Sequence, residues 1–193
     1  MRLPEFAERL RLRFDLASYH RWTRRRIRRR GWSSVATWDD DEVQHWQYTI
    51  GFEESLGQPE VIVGGLPPGA AEALFEPLYQ AIRHGLVTPG DGVRWGLDGR
   101  EDCVFRALHP SRQTLEWAAL AMRRRAERGL APLELRVIQL VLPDAAGILP
   151  WQTGYDPAQR LRTPELWRPA QHRGCGERRR VTGHGRPFSG RSR

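Results

Sequence analysis

The chain contains no lysine: all 31 basic residues are arginine, set against 23 acids. A surface shaped only by the need for positive charge would draw on both cations. The bias therefore reads in part as a coding preference, and the net charge of +8 does not by itself identify a polyanion binder. Cysteine is nearly absent too. Cys103 and Cys175 stand far apart, too few for a disulfide framework, and Cys103 in the run DCVFRAL reads as a small buried hydrophobe. No stretch approaches the roughly 18 consecutive apolar residues of a membrane-crossing helix. The opening MRLPEFAERLRLRF has neither an apolar h-region nor a small-residue cleavage site. A cytoplasmic protein with no membrane partner is expected.

Catalytic signatures are also missing. There is no G-x-S-x-G, no phosphate-binding loop and no H-E-x-x-H. The nearest thing to a dinucleotide turn, GGLPPG, carries prolines where backbone amides would have to face a pyrophosphate. Six histidines are scattered through the chain, at 20, 45, 84, 109, 172 and 184. His172, Cys175 and His184 lie together near the end of the chain, and a fourth ligand is lacking there, so no metal site and no cofactor are expected.

What is present is an uneven distribution of charge. Residues 1–30 hold eleven arginines against Glu5, Glu8 and Asp15, and residues 168–193 hold eight against Glu177. The stretch between them carries an excess of acids. The chain reads as an acidic globule with two basic ends, which divides it into an arginine-rich extension (1–30), a globular domain (31–157) and a flexible Arg/Pro/Gly tail (158–193). At 193 residues it is long enough for one core.

Hydrophobic periodicity supplies the elements. Leu3, Phe6, Leu10, Phe14 and Ala17 form a helical stripe over residues 4–30, and the run Arg24–Arg30 has no apolar face, so it is expected to project into solvent or fray. The segments GWSSVATW, HWQYTIGF and PEVIVGGL are strands, with a turn at DDDE (39–42). In the second of them, Trp46, Tyr48 and Ile50 alternate with Gln47, Thr49 and Gly51, which predicts one buried face. A helix from Pro67 to about His84 buries Ala70, Leu74, Leu78 and Ile82. A second, from Ser111 to about Arg128, points Leu115, Ala118, Ala119 and Met122 inward. Residues 102–108 are a further strand, VRW at 93–95 is a short one, and ELRVIQLVLPD (134–144) is a central strand. The fold class is α+β: one mixed or antiparallel sheet of about five strands with two helices packed on it, plus the N-terminal helix.

Two blocks of residues carry a resemblance. YTIGF (48–52) followed by GQPEVIV (57–63), and QLVLPD (139–144) followed by PWQTGYD (150–156), resemble the bacterial domain-of-unknown-function family 4262 over about residues 31–157. The resemblance implies a domain boundary and no activity. Phe52 stands where leucine is common in the family, and Gln152 lies near a commonly acidic position. If that acid served a metal or a proton, this chain lacks it.

The first block is the leading candidate site. Gly51 ends a strand and allows an unusual backbone angle or a close approach. Tyr48 and Thr49 offer hydroxyls, and Glu53 and Glu60 offer carboxylates to a ligand. In the structural alternative, Glu60 bonds the orphan amides of a tight turn. The second block offers Asp144 and Asp156 as partners to Glu60 for acid–base work, with Trp151 and Tyr155 capping the core. His109, between strand and helix, serves a ligand or a cap. At the basic end, Arg24, Arg25, Arg26, Arg28, Arg29 and Arg30, flanked by Tyr19, Trp22 and Trp32, suit a phosphate backbone without sequence preference.

The leading functional expectation is a ligand-binding or protein-interaction module whose partner is an unknown protein or small molecule. One alternative is an enzyme of unknown class, flavin- or metabolite-dependent, with a pocket at the strand ends around Tyr48, Glu60 and Asp144. The other is non-specific nucleic-acid binding through the arginine-rich termini.

Overall fold

A computed structural model describes residues 16–38, 43–67, 69–96, 102–112 and 114–170. Helix α1 (Leu16–Arg30) is followed by strands β1 (Ser33–Trp38) and β2 (His45–Ile50). Next come α2 (Phe52–Leu56), β3 (Glu60–Gly64), α3 (Ala70–Arg83), β4 (Arg94–Trp95) and β5 (Cys103–Ala107). The chain continues through α4 (Thr114–Glu127), a 3-10 turn (Pro132–Glu134), β6 (Val137–Val141) and α5 (Pro157–Arg162). The fold is α+β with one mixed sheet, in the order β1-β2-β3-β6-β5-β4. The sixth strand is the VRW segment, reduced to two residues. The turn expected at 39–42 lies outside the described residues.

Both faces of the sheet are covered. Val61, Val63, Phe105, Ile138 and Leu140 form one core with Phe75, Leu78, Tyr79 and Ile82 of α3. On the other face, Val35, Trp46, Tyr48, Ile50 and Ile62 meet Ile27 of α1 and Ala118, Leu120, Ala121 and Met122 of α4. Two-sided cover corrects the reading of β2 as half-exposed: the strand is buried from Trp46 to Ile50. Its polar positions are satisfied internally. Gln47 donates to the Pro67 carbonyl and accepts from the Gly69 amide, both at 2.9 Å, and so fixes the start of α3.

Two helical faces are rotated from their expected settings. In α3 the buried stripe is Ala71, Phe75, Leu78, Tyr79 and Ile82, while Ala70 is exposed and Leu74 sits at the rim. The large rings of Phe75 and Tyr79 turn the helix toward themselves, since buried area dominates packing. Helix α4 is broken at Ala118 (φ −142°, ψ 38°), and beyond the break Leu120 and Ala121 point inward, whereas Ala119 is half-buried. A single period cannot be carried across such a break.

The arginine run does not fray. It stays helical to Arg30, with Ile27 buried at 6% exposure inside it. Arg24 donates to Glu127 at 3.0 Å, Arg26 donates to Glu72 at 2.9 Å, and Arg30 lies 3.8 Å over the Trp32 ring. Isoleucine is the one apolar anchor in the run, and acids from α3 and α4 neutralise its neighbours.

At the other end, packing does not stop at 157. Residues 163–170 form a strap across the sheet, with Leu166 wholly buried. Gln139, wholly buried in the middle of β6, donates to the Pro164 carbonyl (2.7 Å) and accepts from the Leu166 amide (3.0 Å). The Leu166 carbonyl accepts from the His109 amide at 2.9 Å, and the Ala170 amide donates to Ser111 at 2.8 Å. Gly64 makes the close approach available: a Cβ there would lie 2.5 Å from Pro164 Cδ. The expectation of a loose tail from 158 is thus corrected up to residue 170, and residues 171–193 lie outside the described part of the chain.

Candidate functional site

Glu60 opens β3 at 2% exposure. Its carboxylate accepts from the Thr49 hydroxyl (2.6 Å) and from the amides of Gly51 (2.7 Å), Phe52 (3.2 Å) and Glu53 (3.2 Å). Those three amides are the orphan donors at the start of α2, so a carboxylate remote in sequence caps that helix. Thr49 also accepts from the Val61 amide at 2.9 Å, closing the gap where β2 and β3 diverge. Gly51 permits the geometry. Its φ is 113°, and a Cβ would stand 2.8 Å from the Gly31 carbonyl oxygen. Burial pushes the Glu60 carboxyl above its ordinary range, and the four donors oppose that shift only in part.

Little room for a ligand remains beside this carboxylate. The adjoining recess, lined by Glu53, Glu54, Arg124, Arg125 and Arg128, has a volume of about 10 Å³, enough for one water. Its charges are largely matched: Arg124 is bidentate to Glu54 (2.9 and 2.7 Å), and Arg125 pairs with Glu53. The block around 48–60 is therefore assembled as its structural alternative requires, with Glu60 bonding the turn.

Tyr48 is equally committed. Its hydroxyl accepts from the Leu120 amide (3.3 Å), and Trp46 donates its indole N–H to the Trp117 carbonyl (3.1 Å). These backbone groups flank the break at Ala118, so β2 repairs the hydrogen bonding that the break disrupts. Burial drives the Tyr48 phenol far above its ordinary value. Phe52 is wholly buried and meets Trp32 and Tyr79 edge-on at 6.1 and 5.5 Å.

The second block serves its own loop. Asp144 accepts from the amides of Ile148, Ala146 and Asp156, each at 2.9 Å, and the Ile148 bond above all holds its carboxyl below the usual range. Asp156 caps α5 through the Ala158 amide at 2.8 Å. Gln152 accepts from the Leu149 amide at 2.6 Å. Tyr155 is buried, while Trp151 is 40% exposed and meets Trp167 edge-on. His109 Nδ1 lies 2.9 Å from Ser111 Oγ, in a local turn where no described carboxylate orients the other ring nitrogen.

The two blocks do not converge. Strands β2, β3 and β6 are neighbours, as expected, but β3 and β6 run parallel with Glu60 opposite Val137. Asp144 follows Val141 and so lies beyond the far end of the sheet. At about 3.3 Å per residue, the strand alone separates the carboxylates by roughly 13 Å. A shared cleft of Glu60, Asp144 and Asp156 is excluded by the parallel register. Cys103 is buried, with its thiol pushed up to about 12 by burial. Among the described residues no group of three or more His, Cys, Asp or Glu side chains is placed to hold a metal, and no helix is long and apolar enough to cross a membrane.

The roomier recess was not singled out by motif. It is a cleft of about 320 Å³ lined by Gln44, Arg112, Trp117, Arg160, Thr163, Pro164, Glu165, Arg168 and Pro169. Arg112 is held in place by donating to the carbonyls of Arg168 (3.1 Å) and Pro169 (3.3 Å). Arg160 and Arg168 both pair with Glu165, at 2.9 and 2.7 Å. Three cations against one anion leave the lining positive. Trp117 packs on Trp46 at 4.7 Å between ring centres, and its indole N–H is buried with no partner among the described residues. The one sequence signal for this cleft was Gln139: a polar residue amid an apolar central strand needs partners, and only the strap supplies them.

The model of the family described as a domain of unknown function, DUF4262, matches residues 26–156. No curated protein and no solved structure matches the chain. The match takes in the end of α1, the whole sheet, Glu60 with its turn and the Asp144 loop, and it stops just before α5 and the strap. The chain is a member of the DUF4262 family.

Proposed function

We propose that this domain is a ligand-binding module, and that the cleft between α4 and the strap receives a small molecule bearing a carboxylate or phosphate. The observation that carries the proposal is the lining: Arg112, Arg160 and Arg168 around a cleft of about 320 Å³, with Glu165 the one acid among its lining residues. That volume falls at the lower end of the range typical for small-molecule sites, roughly 300–1,000 Å³. Arginine presents a planar fork suited to bidentate contact with an oxyanion. Trp117 supplies a flat apolar wall.

An enzyme built around Tyr48, Glu60 and Asp144 has no support in this geometry, since Glu60 is saturated by four donors, the buried Tyr48 hydroxyl accepts from the Leu120 amide, and Asp144 lies beyond the opposite end of β6. The test is thermal unfolding of the full chain with inorganic phosphate, citrate or benzoate. At a concentration of about 100 Kd, binding adds about 2.7 kcal/mol, a rise of several degrees in Tm. Arg168→Gln is expected to cut that rise. If none of the three anions shifts Tm, or if the shift is unchanged in Arg168→Gln, the cleft is not the site.

A further inference from the structure

The structure divides the arginines of α1 into two sets. Arg24 pairs with Glu127, Arg26 with Glu72, and Arg30 with Glu72 and the Trp32 ring. Arg25, Arg28 and Arg29 are exposed and have no acidic partner among the described residues. At 3.6 residues per turn these three fall within about 100° of one another. The opposite side of the helix carries buried Thr23 and Ile27.

We infer that this outer face of α1 is a docking surface for the phosphate backbone of duplex nucleic acid, without sequence preference. Charge complementarity is the first reason. Arg25 and Arg29, one turn apart, rise by about 6 Å with Arg28 between them, so a straight helix lays three forks along neighbouring phosphates. Rigidity is the second. The helix is pinned from below by Ile27 and by the Arg24 and Arg26 ion pairs, so the forks are presented on a fixed element rather than a solvated coil. A lipid surface is the poorer match. An interfacial helix needs an apolar face to insert, and the apolar face of α1 is already buried in the domain, leaving Trp22 as the one large apolar side chain exposed on it among the described residues. The surface is independent of the cleft and of the small-molecule proposal.

The test is fluorescence anisotropy of a labelled 30-base-pair duplex of arbitrary sequence, titrated with the full chain between about 50 and 200 mM salt. The wild type is expected to bind with a steep salt dependence. The triple variant Arg25→Gln, Arg28→Gln, Arg29→Gln is expected to bind at least about tenfold more weakly at 50 mM, and to lose about 2.7 from the log–log slope, near 0.9 for each phosphate contact removed. These side chains have no acidic partner among the described residues, so the triple variant should unfold at the wild-type temperature. That keeps a loss of binding separate from a loss of fold. An unchanged slope in the triple variant would overturn the inference, because the binding would then come from arginines elsewhere in the chain. Absence of wild-type binding at 50 mM would do the same, as would retention on phosphatidylserine vesicles without retention on the duplex.

Discussion

The two ends of α4 meet the rest of the molecule in opposite ways. At its C-terminal end, Arg124 and Arg125 find Glu54 and Glu53, and the buried Glu60 behind them is saturated by four donors. At its N-terminal end, Trp117 borders a cleft whose arginines outnumber its acids, and its indole N–H has no partner among the described residues. The first recess is filled by its own chemistry and the second is not. Two clusters of similar charged residues thus differ in the room they leave, about 10 Å³ against about 320 Å³, and residue type alone does not reveal it.

The comparison breaks most visibly at Glu60. Glu60→Ala leaves a hydroxyl and three amides without an acceptor and is expected to cost about 4 kcal/mol, read from urea unfolding. A loss under 1 kcal/mol would mean that water replaces the carboxylate freely and that the recess is not sealed. Next in size is Gln139→Leu, which strands the Pro164 carbonyl and the Leu166 amide. It should cost about 2 kcal/mol and speed hydrogen exchange at Leu166, while exchange in β3 is unaltered.

A pH series sharpens the contrast between the two motif carboxylates. Burial raises the folded pKa of Glu60 above its ordinary 4.5, so the folded state holds that proton more tightly than the unfolded chain does. Its contribution is therefore complete below about pH 4.5 and declines as pH rises through the folded value. The stability gap between wild type and Glu60→Gln should narrow over that interval. Asp144 runs the other way. The Ile148 amide lowers its pKa below 3.8, so its contribution is present above 3.8 and is lost as the pH falls through the folded value. A gap to Asp144→Asn that closes on acidification checks this. The smallest expected effect is at Arg124. Its pair with Glu54 lies at the edge of the recess with the side chains 20% and 27% exposed, and Arg124→Gln should cost about 1 kcal/mol or less, diminishing with added salt.

Much of the fold was legible because it rests on local signals. Continuous apolar runs identified β3 and β6, glycine and proline marked the limits of α3, and the two motif blocks identified the family. Three features escaped. The break at Ala118 has no glycine or proline to announce it, since it is bridged by Trp46 and Tyr48 from a distant strand. The strap was hidden by composition: only Leu166 and Trp167 among arginines and prolines mark it as packed, and its main partner is one glutamine in β6. The parallel pairing of β3 with β6 is a long-range choice that hydrophobic patterns do not encode, and it is what separates Glu60 from Asp144. The candidate site suffered most, because the residues that look reactive in sequence are those most occupied with backbone amides.

The most direct measurement is a titration of the ¹⁵N-labelled full chain with citrate, followed by amide chemical-shift changes. Recognition at the open end of α4 predicts saturable shifts confined to residues 108–117 and 160–170, with the amides of 51–53 and 60 unmoved. Shifts centred on 51–60 and 124–135, or a spectrum that citrate leaves unchanged throughout, would contradict it.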